Sequence, residues 1–227
     1  MPQPALSATA HSFTAVLFGL SGCLVDFGAR SASLTSGRHL TLIRESGGPA
    51  RTMDIGVPRE LDNCAEPTPG ALVTLRSLHE DGVPCAWLDE LPEALALRLT
   101  TQLPEWLAST PACTRRNWPA PDACWQALSH LGIDRLEGCV LVSGEPRLLQ
   151  AGLNAGLWTV GLAACGSLGG HALAEWQTLN GVQRELIRAE ATLALYRLGA
   201  HSVIDQLTDL PACLDDLQIR RSKGEKP

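Results

Sequence analysis

Short apolar runs recur along this 227-residue chain, and most of them end in residues that favour turns. The first run, residues 14–18, is followed by Gly19, Ser21 and Gly22. A short apolar run bounded by turn residues is typical of a strand buried on both faces of a parallel sheet. Four further runs predict strands at residues 83–87, 139–142, 157–162 and 201–204.

Helical spacing of leucine and alanine fills the stretches between the predicted strands. Prolines, which favour the first turn of a helix, open three of these stretches at Pro69, Pro92 and Pro121, and a fourth covers residues 147–154. Asn180 and Gly199 are expected to cap the longest helix, and Thr208 is expected to cap the last one. Two stretches are less regular: residues 32–44 are weakly helical, and residues 46–69 are expected to be irregular.

Strands that alternate with helices predict an α/β fold with a parallel sheet covered on both faces. In such a sheet the ligand site lies at the carboxyl ends of the strands. Gly19, Trp87 and Ser143 should therefore lie at neighbouring strand ends. The candidate site comprises residues 19–23, 87–89, 143–145 and the stretch before Pro119.

Composition narrows the class of protein. Apolar residues make up 45% of the chain, enough for one α/β domain or one domain with a small insert. The net charge is -6 and no basic block precedes the last few residues, which argues against nucleic-acid binding and against a polybasic membrane anchor. No apolar run is long enough to span a membrane, and residues 1–12 lack the pattern of a secretory signal. We therefore expect a cytoplasmic protein.

The eight cysteines are spread along the chain without a C-x-x-C pair, and the six histidines show no metal-binding spacing. Zinc sites and redox motifs need close pairs. Cysteine in an apolar run behaves as a small hydrophobic residue. We therefore expect reduced cysteines, mainly in the core.

Two polar patterns near the predicted strand ends are candidates for reactive groups. Residues 19–23 resemble a G-x-S-x-G nucleophile elbow, but Cys23 replaces the last glycine, and no histidine at an adjacent strand end would activate Ser21 or Cys23. Asp89 and Glu145 could form a carboxylate pair across the pocket. The default expectation for such acids is a solvated position at the surface.

Two stretches resemble the phosphonoacetaldehyde hydrolase family of the haloacid-dehalogenase (HAD) superfamily. Residues 15–28 read AVLFGLSGCLVDFG, similar to the family's A-V-I-F-D-W-A-G-T-x-V-D-F-G. The second stretch runs from Trp118 nearly to the C-terminus and includes VLVSGEP, NAGLWTVG and GAHSVIDQLTDLP. The resemblance implies a HAD-like Rossmannoid fold, a three-layer α/β/α core around a parallel central sheet, with a much reduced cap insert.

The resemblance also implies the domain organisation. Residues 1–29 and 70–227 correspond to the core domain, and residues 30–69 to a remnant of the family's helical cap. This remnant is much shorter than the family's cap and too rich in glycine and proline to form a helical bundle. We therefore expect that the lid over the site is absent, which argues against the cap-mediated dimer of the family.

Several catalytic positions of the family are replaced in this chain. The family's nucleophile is an aspartate where this chain has Gly19, and a glycine has no side chain to attack phosphorus. The family's threonine four residues later is Cys23, which could still donate weakly to the pocket that also contains Ser21. The family's phosphate-binding turn falls on residues 87–89, and the carboxylate of Asp89 would repel a phosphoryl group.

The family's Mg²⁺-binding acidic pair falls on Ser143 and Gly144. A hydroxyl group and a bare backbone are poor ligands for a hard cation. Glu145, one position further along, is a weak candidate for a metal ligand. We therefore expect no bound cofactor.

The cationic groups of the family are also missing. The phosphate-neutralising position falls on Trp118, although Arg115 and Arg116 are close enough in sequence for one of them to reach the site. The family forms a Schiff base on a lysine, but the two lysines of this chain, Lys223 and Lys226, lie in its polar C-terminal tail. A solvated, protonated ammonium is a poor nucleophile.

Together these losses predict a phosphonoacetaldehyde hydrolase-like pseudoenzyme that binds a protein partner or a small ligand. The alternative is an active HAD-family hydrolase that acts on a small phosphorylated or phosphonate compound through relocated residues. A cleft plugged by Trp87 or Trp118 would favour the pseudoenzyme. An open cleft with convergent polar groups would favour the enzyme.

Overall fold

The computed structural model describes residues 13–31, 63–109 and 116–227. In these residues six parallel strands form one sheet in the order β3-β2-β1-β4-β5-β6. The strands are β1 (Ala15–Gly19), β2 (Cys85–Leu88), β3 (Ala108–Ser109), β4 (Cys139–Ser143), β5 (Trp158–Leu162) and β6 (Ser202–Ile204). The five predicted strands are confirmed, and β3 was not predicted.

The helices connect these strands. They are α1 (Ala71–Glu80), α2 (Glu93–Leu99), α3 (Asp122–His130), α4 (Pro146–Ala155), α5 (Leu173–Thr178), α6 (Gly181–Leu198) and α7 (Leu210–Ser222). All but α5 were predicted. The weakly helical stretch 32–44 and most of the irregular stretch 46–69 lie outside the described residues.

Alternate residues of the strands face opposite layers of helices. Val16 and Phe18 of β1 belong to a buried cluster with apolar residues of α1, α2 and α7. Ala15 and Leu17 belong to a second cluster with α3 and α4. This arrangement confirms the three-layer α/β/α fold.

The predicted insert, residues 30–69, is described only at its two ends. At its C-terminal end Cys64 and Ala65 are buried in the core cluster, and Pro67 forms an isolated bridge with Val25. The backbone N–H of Thr68 donates to the carbonyl of Leu24 at 2.9 Å. This end of the insert therefore packs against the core, and the domain boundary at residue 69 stays a prediction.

Two expectations about helix ends have different outcomes. Asn180 caps α6 as predicted, because its side chain accepts a hydrogen bond from the backbone N–H of Gln183. The prediction that Thr208 caps the last helix is wrong. Thr208 lies inside a single 3-10 turn, Leu207–Asp209, and α7 follows with a proline in its first turn.

Strand order places the candidate site. β1 lies between β2 and β4, with Gly19 opposite Leu88 and Phe18 opposite both Trp87 and Val142. Gly19, Trp87 and Ser143 therefore lie at neighbouring strand ends, as predicted. From β1 the chain first adds β2 and β3 on one side of the sheet and then β4, β5 and β6 on the other. In open α/β sheets, ligands bind at the point where the strand order reverses in this way. None of the helices in the described part of the chain has both the length and the apolar content that a membrane-spanning segment needs.

Candidate functional site

A cleft of ≈ 360 Å³ opens at the carboxyl ends of β1, β2 and β4. Its walls come from the loops that follow these strands and from the start of α4. The polar residues that line it are Ser21, Asp89, Glu90, Ser143, Glu145, Arg147 and Ser167. The structure thus brings together most of the residues that the sequence singled out.

The floor of the cleft is formed by Gly19 and Ser143. A Cβ atom on Gly19 would lie 2.7 Å from Oγ of Ser143 and 3.4 Å from a methyl group of Leu148. Ser143 is fully buried, and its Oγ accepts a hydrogen bond of 3.0 Å from the backbone N–H of Glu145. The serine therefore occupies the space that a side chain at position 19 would need.

Three glycines bring the loops after β1, β4 and β5 into backbone contact. A Cβ atom on Gly144 would lie 2.3 Å from Cα of Gly166 and 2.4 Å from the carbonyl oxygen of Gly22. The backbone N–H of Ser167 donates to the carbonyl of Gly144 at 3.1 Å. We call Gly22, Gly144 and Gly166 the glycine junction. It leaves no room for a carboxylate at position 144.

The oxygen donors at the carboxyl ends of β1 and β4 do not fit a magnesium ion. Mg²⁺ requires several oxygen ligands, usually with carboxylate charge. Gly19 and Gly144 offer no side chain, and the Glu145 carboxylate accepts the backbone N–H of Arg147 at 3.2 Å as the N-cap of α4. Within the described ranges, no group of three or more His, Cys, Asp or Glu side chains could hold a metal ion.

Asp89 is held at the cleft wall by backbone N–H groups. Its carboxylate accepts hydrogen bonds from Ser21 at 3.1 Å and from Leu91 at 3.0 Å. Burial raises the pKa of Asp89 to about 6, although these hydrogen bonds oppose the shift. Asp89 is therefore half-buried in the wall of the cleft. Glu145 lines the same cleft, but its carboxylate caps a helix.

The hydroxyl group of Ser21 is engaged below the cleft. Ser21 Oγ donates to Oδ2 of Asp26 at 2.5 Å and lies 2.9 Å from Oγ of Ser31. Asp26 is buried and has a left-handed backbone with φ of 57°. No histidine is among the described residues that line the cleft. Ser21 therefore has no histidine beside it in the described part of the cleft, and its hydroxyl is held by the carboxylate of Asp26 instead.

Cys23 does not reach the cleft. Its thiol is fully buried and donates to the carbonyl of Val142 on β4 at 3.4 Å. Burial raises the pKa of this thiol well above its usual value. The expectation that Cys23 donates into the pocket is wrong, because its side chain points into the core. The seven described cysteines are all buried, and none forms a disulfide; Cys113 lies outside the described residues.

Neither tryptophan plugs the cleft. Trp87 is buried in the core cluster on the α1 side of the sheet and does not line the cleft. Trp118 forms a buried wall, and its backbone N–H donates to Glu90 at 2.5 Å. The cleft is therefore open, which is the observation expected to favour an enzyme over a pseudoenzyme.

Among the described residues that line the cleft, the cation is Arg147, which the sequence pattern did not single out. Its guanidinium pairs with Oε2 of Glu90 at 3.0 Å and donates to the carbonyl of Trp118. Arg116 pairs with Asp122 at 2.9 Å and does not line the cleft, and Arg115 lies outside the described residues. A basic residue in the first turn of a helix opposes the helix dipole. The unfavourable position of Arg147 in the first turn of α4 was the sequence signal that could have revealed this cation.

The two lysines lie away from the cleft. Lys223 ends α7, and Lys226 lines a separate cavity with Gly138 and Trp158, beside the amino ends of β4 and β5. The amino ends are at the opposite edge of the sheet from the cleft. Neither lysine is therefore placed to form a Schiff base with a ligand in the cleft.

Comparisons with known proteins agree with this architecture. No family model matches the chain. A phosphonoacetaldehyde hydrolase from Salmonella agona (strain SL483) is 31% identical over 185 residues, which cover 78% of this chain and 68% of that protein. The chain spans 63% of the length of the hydrolase of the same name from Salmonella newport (strain SL254).

Solved structures show the same fold. One solved chain is 52% identical and superposes with a TM-score of 0.81, covering 95% of this chain and 100% of its own length. A phosphonoacetaldehyde hydrolase-like protein from Oleispira antarctica is 22% identical, with a TM-score of 0.80 and 100% of each chain covered. A HAD family hydrolase from Deinococcus radiodurans R1 is 26% identical, with a TM-score of 0.55, and covers 90% of this chain and 96% of its own length. The resemblance found in the two sequence stretches is confirmed: this chain belongs to the phosphonoacetaldehyde hydrolase family of the haloacid-dehalogenase superfamily.

Proposed function

We propose that this chain is a pseudoenzyme of its family, which does not hydrolyse phosphonoacetaldehyde and instead binds a protein partner or a small ligand through the altered cleft. The observation that carries the proposal is the pair of bare backbone positions, Gly19 and Gly144. Ser143 occupies the space beside Gly19, and Gly144 is in the glycine junction. Covalent phosphoryl transfer needs a nucleophile, and metal-assisted transfer needs charged ligands.

The charges of the cleft support the same proposal. Among the described residues, three carboxylates, those of Asp89, Glu90 and Glu145, line the cleft together with one guanidinium, that of Arg147. Glu90 already pairs with this guanidinium. A phosphonate ligand is an anion, and enzymes that transfer phosphoryl groups stabilise such charge with cations. The cleft is therefore better suited to a neutral or cationic small ligand.

Phosphate release from phosphonoacetaldehyde tests the proposal. We expect purified wild-type protein to release no phosphate above background, while the Salmonella agona relative is assayed in parallel as the active control. Borohydride should trap no substrate-dependent adduct, because Lys223 and Lys226 lie away from the cleft. Turnover that co-elutes with the protein in gel filtration would refute the pseudoenzyme.

A binding role predicts a ligand that stabilises the folded protein. Thermal-shift screening of small neutral and cationic compounds should find compounds that raise the melting temperature, because a ligand of the native state stabilises it by mass action. Arg147→Ala and Asp89→Asn serve as cleft variants. A stabilising effect that both variants retain would place the ligand elsewhere and contradict the proposal.

The second candidate is an active HAD-family hydrolase with relocated residues that acts on a small phosphorylated or phosphonate compound. The open cleft and Asp89, whose pKa is raised to about 6 by burial, favour this candidate. A carboxyl group that titrates near neutral pH can act as a general acid or base. Turnover by the wild type that is abolished in Asp89→Asn would establish the relocated chemistry.

The remaining expectations belong to the same proposal. The protein is cytoplasmic, acts without Mg²⁺, and does not bind nucleic acid. Isothermal titration with Mg²⁺ should therefore give no binding heat. A saturable magnesium isotherm that Glu145→Gln abolishes would overturn this part of the proposal.

A further inference from the structure

The long helix α6 has apolar residues on its outer face. α6 spans 18 residues, of which Ala191 and Leu195 are its buried residues. Val182, Leu186, Leu193 and Tyr196 are exposed by 71%, 60%, 50% and 51%. A surface helix of a soluble protein normally exposes polar residues on this face. A row of exposed apolar residues on one element marks an interaction surface.

The exposed residues have the spacing of a coiled coil. Val182, Leu186, Ala189, Leu193 and Tyr196 follow one another at intervals of four, three, four and three residues. Alternating intervals of four and three are the a/d pattern by which one helix packs along another. All five residues are exposed. We call them the α6 stripe.

We propose that the α6 stripe binds the α6 stripe of a second copy of this chain, with the two helices antiparallel. This dimer is distinct from the proposed function of the cleft. In the antiparallel register that pairs a with d positions, Val182 packs against Leu193 of the second copy. Leu186 packs against Ala189, and the two-fold axis repeats both pairs. The stripe is therefore complementary to itself.

The charged residues beside the α6 stripe favour antiparallel over parallel helices. In a parallel pair, Glu185 of each helix would face Glu190 of the other, and the flanking positions of a coiled coil set orientation through such contacts. In the antiparallel register Glu190 faces Gln183, and Glu185 faces Thr192. Glu185 already pairs with Arg188 of its own helix at 3.2 Å, and the antiparallel arrangement also keeps it away from Glu190 of the second copy.

The length of the α6 stripe limits the area of the interface and therefore the affinity of the dimer. A helix of this length extends about 27 Å, at 1.5 Å per residue. One such helix covers less than the roughly 800 Å² that each partner buries in a standard protein interface. We therefore expect a dimer that forms at high concentration and dissociates on dilution.

Sedimentation velocity over a dilution series tests the dimer. The full-length wild type should shift from monomer to dimer as concentration rises, and Leu186→Glu/Leu193→Glu should remain a monomer at every concentration. Leu97→Glu is the matched control, because Leu97 is a leucine exposed by 58% on α2. Circular dichroism confirms that each variant is folded. A wild type that stays monomeric at its solubility limit overturns the proposal, and so does a dimer that persists in the double variant.

Disulfide trapping tests the orientation separately. Val182→Cys/Leu193→Cys should form a covalent dimer under mild oxidation, and peptide mapping should find residue 182 joined to residue 193 of the other copy. The mapping also identifies any link through native cysteines. Links from 182 to 182 and from 193 to 193 would indicate parallel helices and overturn the proposed arrangement.

Discussion

Adding one methyl group at Gly19 should destabilise the protein, because Ser143 already occupies the space. The new Cβ would lie 2.7 Å from Oγ and 3.3 Å from Cβ of Ser143. The backbone of Gly19 is not left-handed, so alanine suits its conformation and only the contacts are at issue. Overpacking costs about 1–3 kcal/mol, while the lower entropy of the unfolded alanine chain returns about 0.4–1 kcal/mol. We therefore expect Gly19→Ala to lower the free energy of unfolding by about 1–2 kcal/mol.

A double-mutant cycle assigns this loss to the serine. Ser143→Ala removes the Oγ atom and leaves the N–H of Glu145 without its acceptor, which costs about 1 kcal/mol. Once Oγ is absent, alanine at position 19 meets a smaller neighbour. The double variant should therefore be more stable than the sum of the two losses predicts, by about 1 kcal/mol. Urea denaturation of the four proteins gives the required free energies of unfolding.

Gly181→Ala is the matched control for the glycine substitution. A Cβ atom at Gly181 meets nothing within 4 Å, and Gly181 is at the start of α6. This variant should be about 0.4–1 kcal/mol more stable than the wild type. Additive losses at positions 19 and 143, or a neutral Gly19→Ala, would refute the view that Ser143 fills the position of the nucleophile.

Three further predictions concern the cleft. Gly144→Ala should cost about 3 kcal/mol or more, measured as a fall in melting temperature, because its Cβ would contact the backbone of Gly166 at 2.3 Å; a melting temperature within a degree or so of the wild type would contradict it. Because burial raises the pKa of Asp89 from 3.8 to about 6, the stability that this group contributes is present below pH 3.8 and is lost as pH rises to about 6. Urea unfolding at pH 4 and pH 7 should show a loss of at most about 3 kcal/mol from this group, absent in Asp89→Asn; equal pH dependence in both proteins would contradict it. Glu90→Gln should release Arg147 and create weak binding of inorganic phosphate, detectable by ³¹P NMR and absent from Glu90→Gln/Arg147→Gln; phosphate binding by the wild type would contradict it.

The sheet could be predicted from the sequence because the central strands of the sheet are short, mainly apolar runs. β1, β4 and β5 are buried on both faces, so each reads as a short, mainly apolar run bounded by turn residues, with Thr159 as a buried polar residue within β5. β3 was missed because its two residues, Ala108–Ser109, are too short to show any period. α5 has six residues and was missed for the same reason.

Much of the site could be located from the sequence, but its contacts could not. Gly19, Ser21, Asp89, Ser143 and Glu145 all line the cleft, as the strand ends required. The pairing of residue 90 with residue 147 joins positions 57 apart in sequence, and no local pattern records it. The direction in which Cys23 points and the depth at which Asp89 is buried depend likewise on neighbouring strands.

The glycine junction has a consequence for how the chain could regain or acquire chemistry. An aspartate at position 144 is excluded by the backbone of Gly166 and Gly22 themselves, so the loops must separate before the side chain can be accommodated. A protein with aspartate restored at position 144 alone would therefore be less stable than both the present chain and a chain with a rebuilt loop. Selection acting one residue at a time meets a barrier here, and so does stepwise laboratory evolution. A redesign would have to lengthen or exchange the loop that contains Gly166 first, and restore acidic residues afterwards.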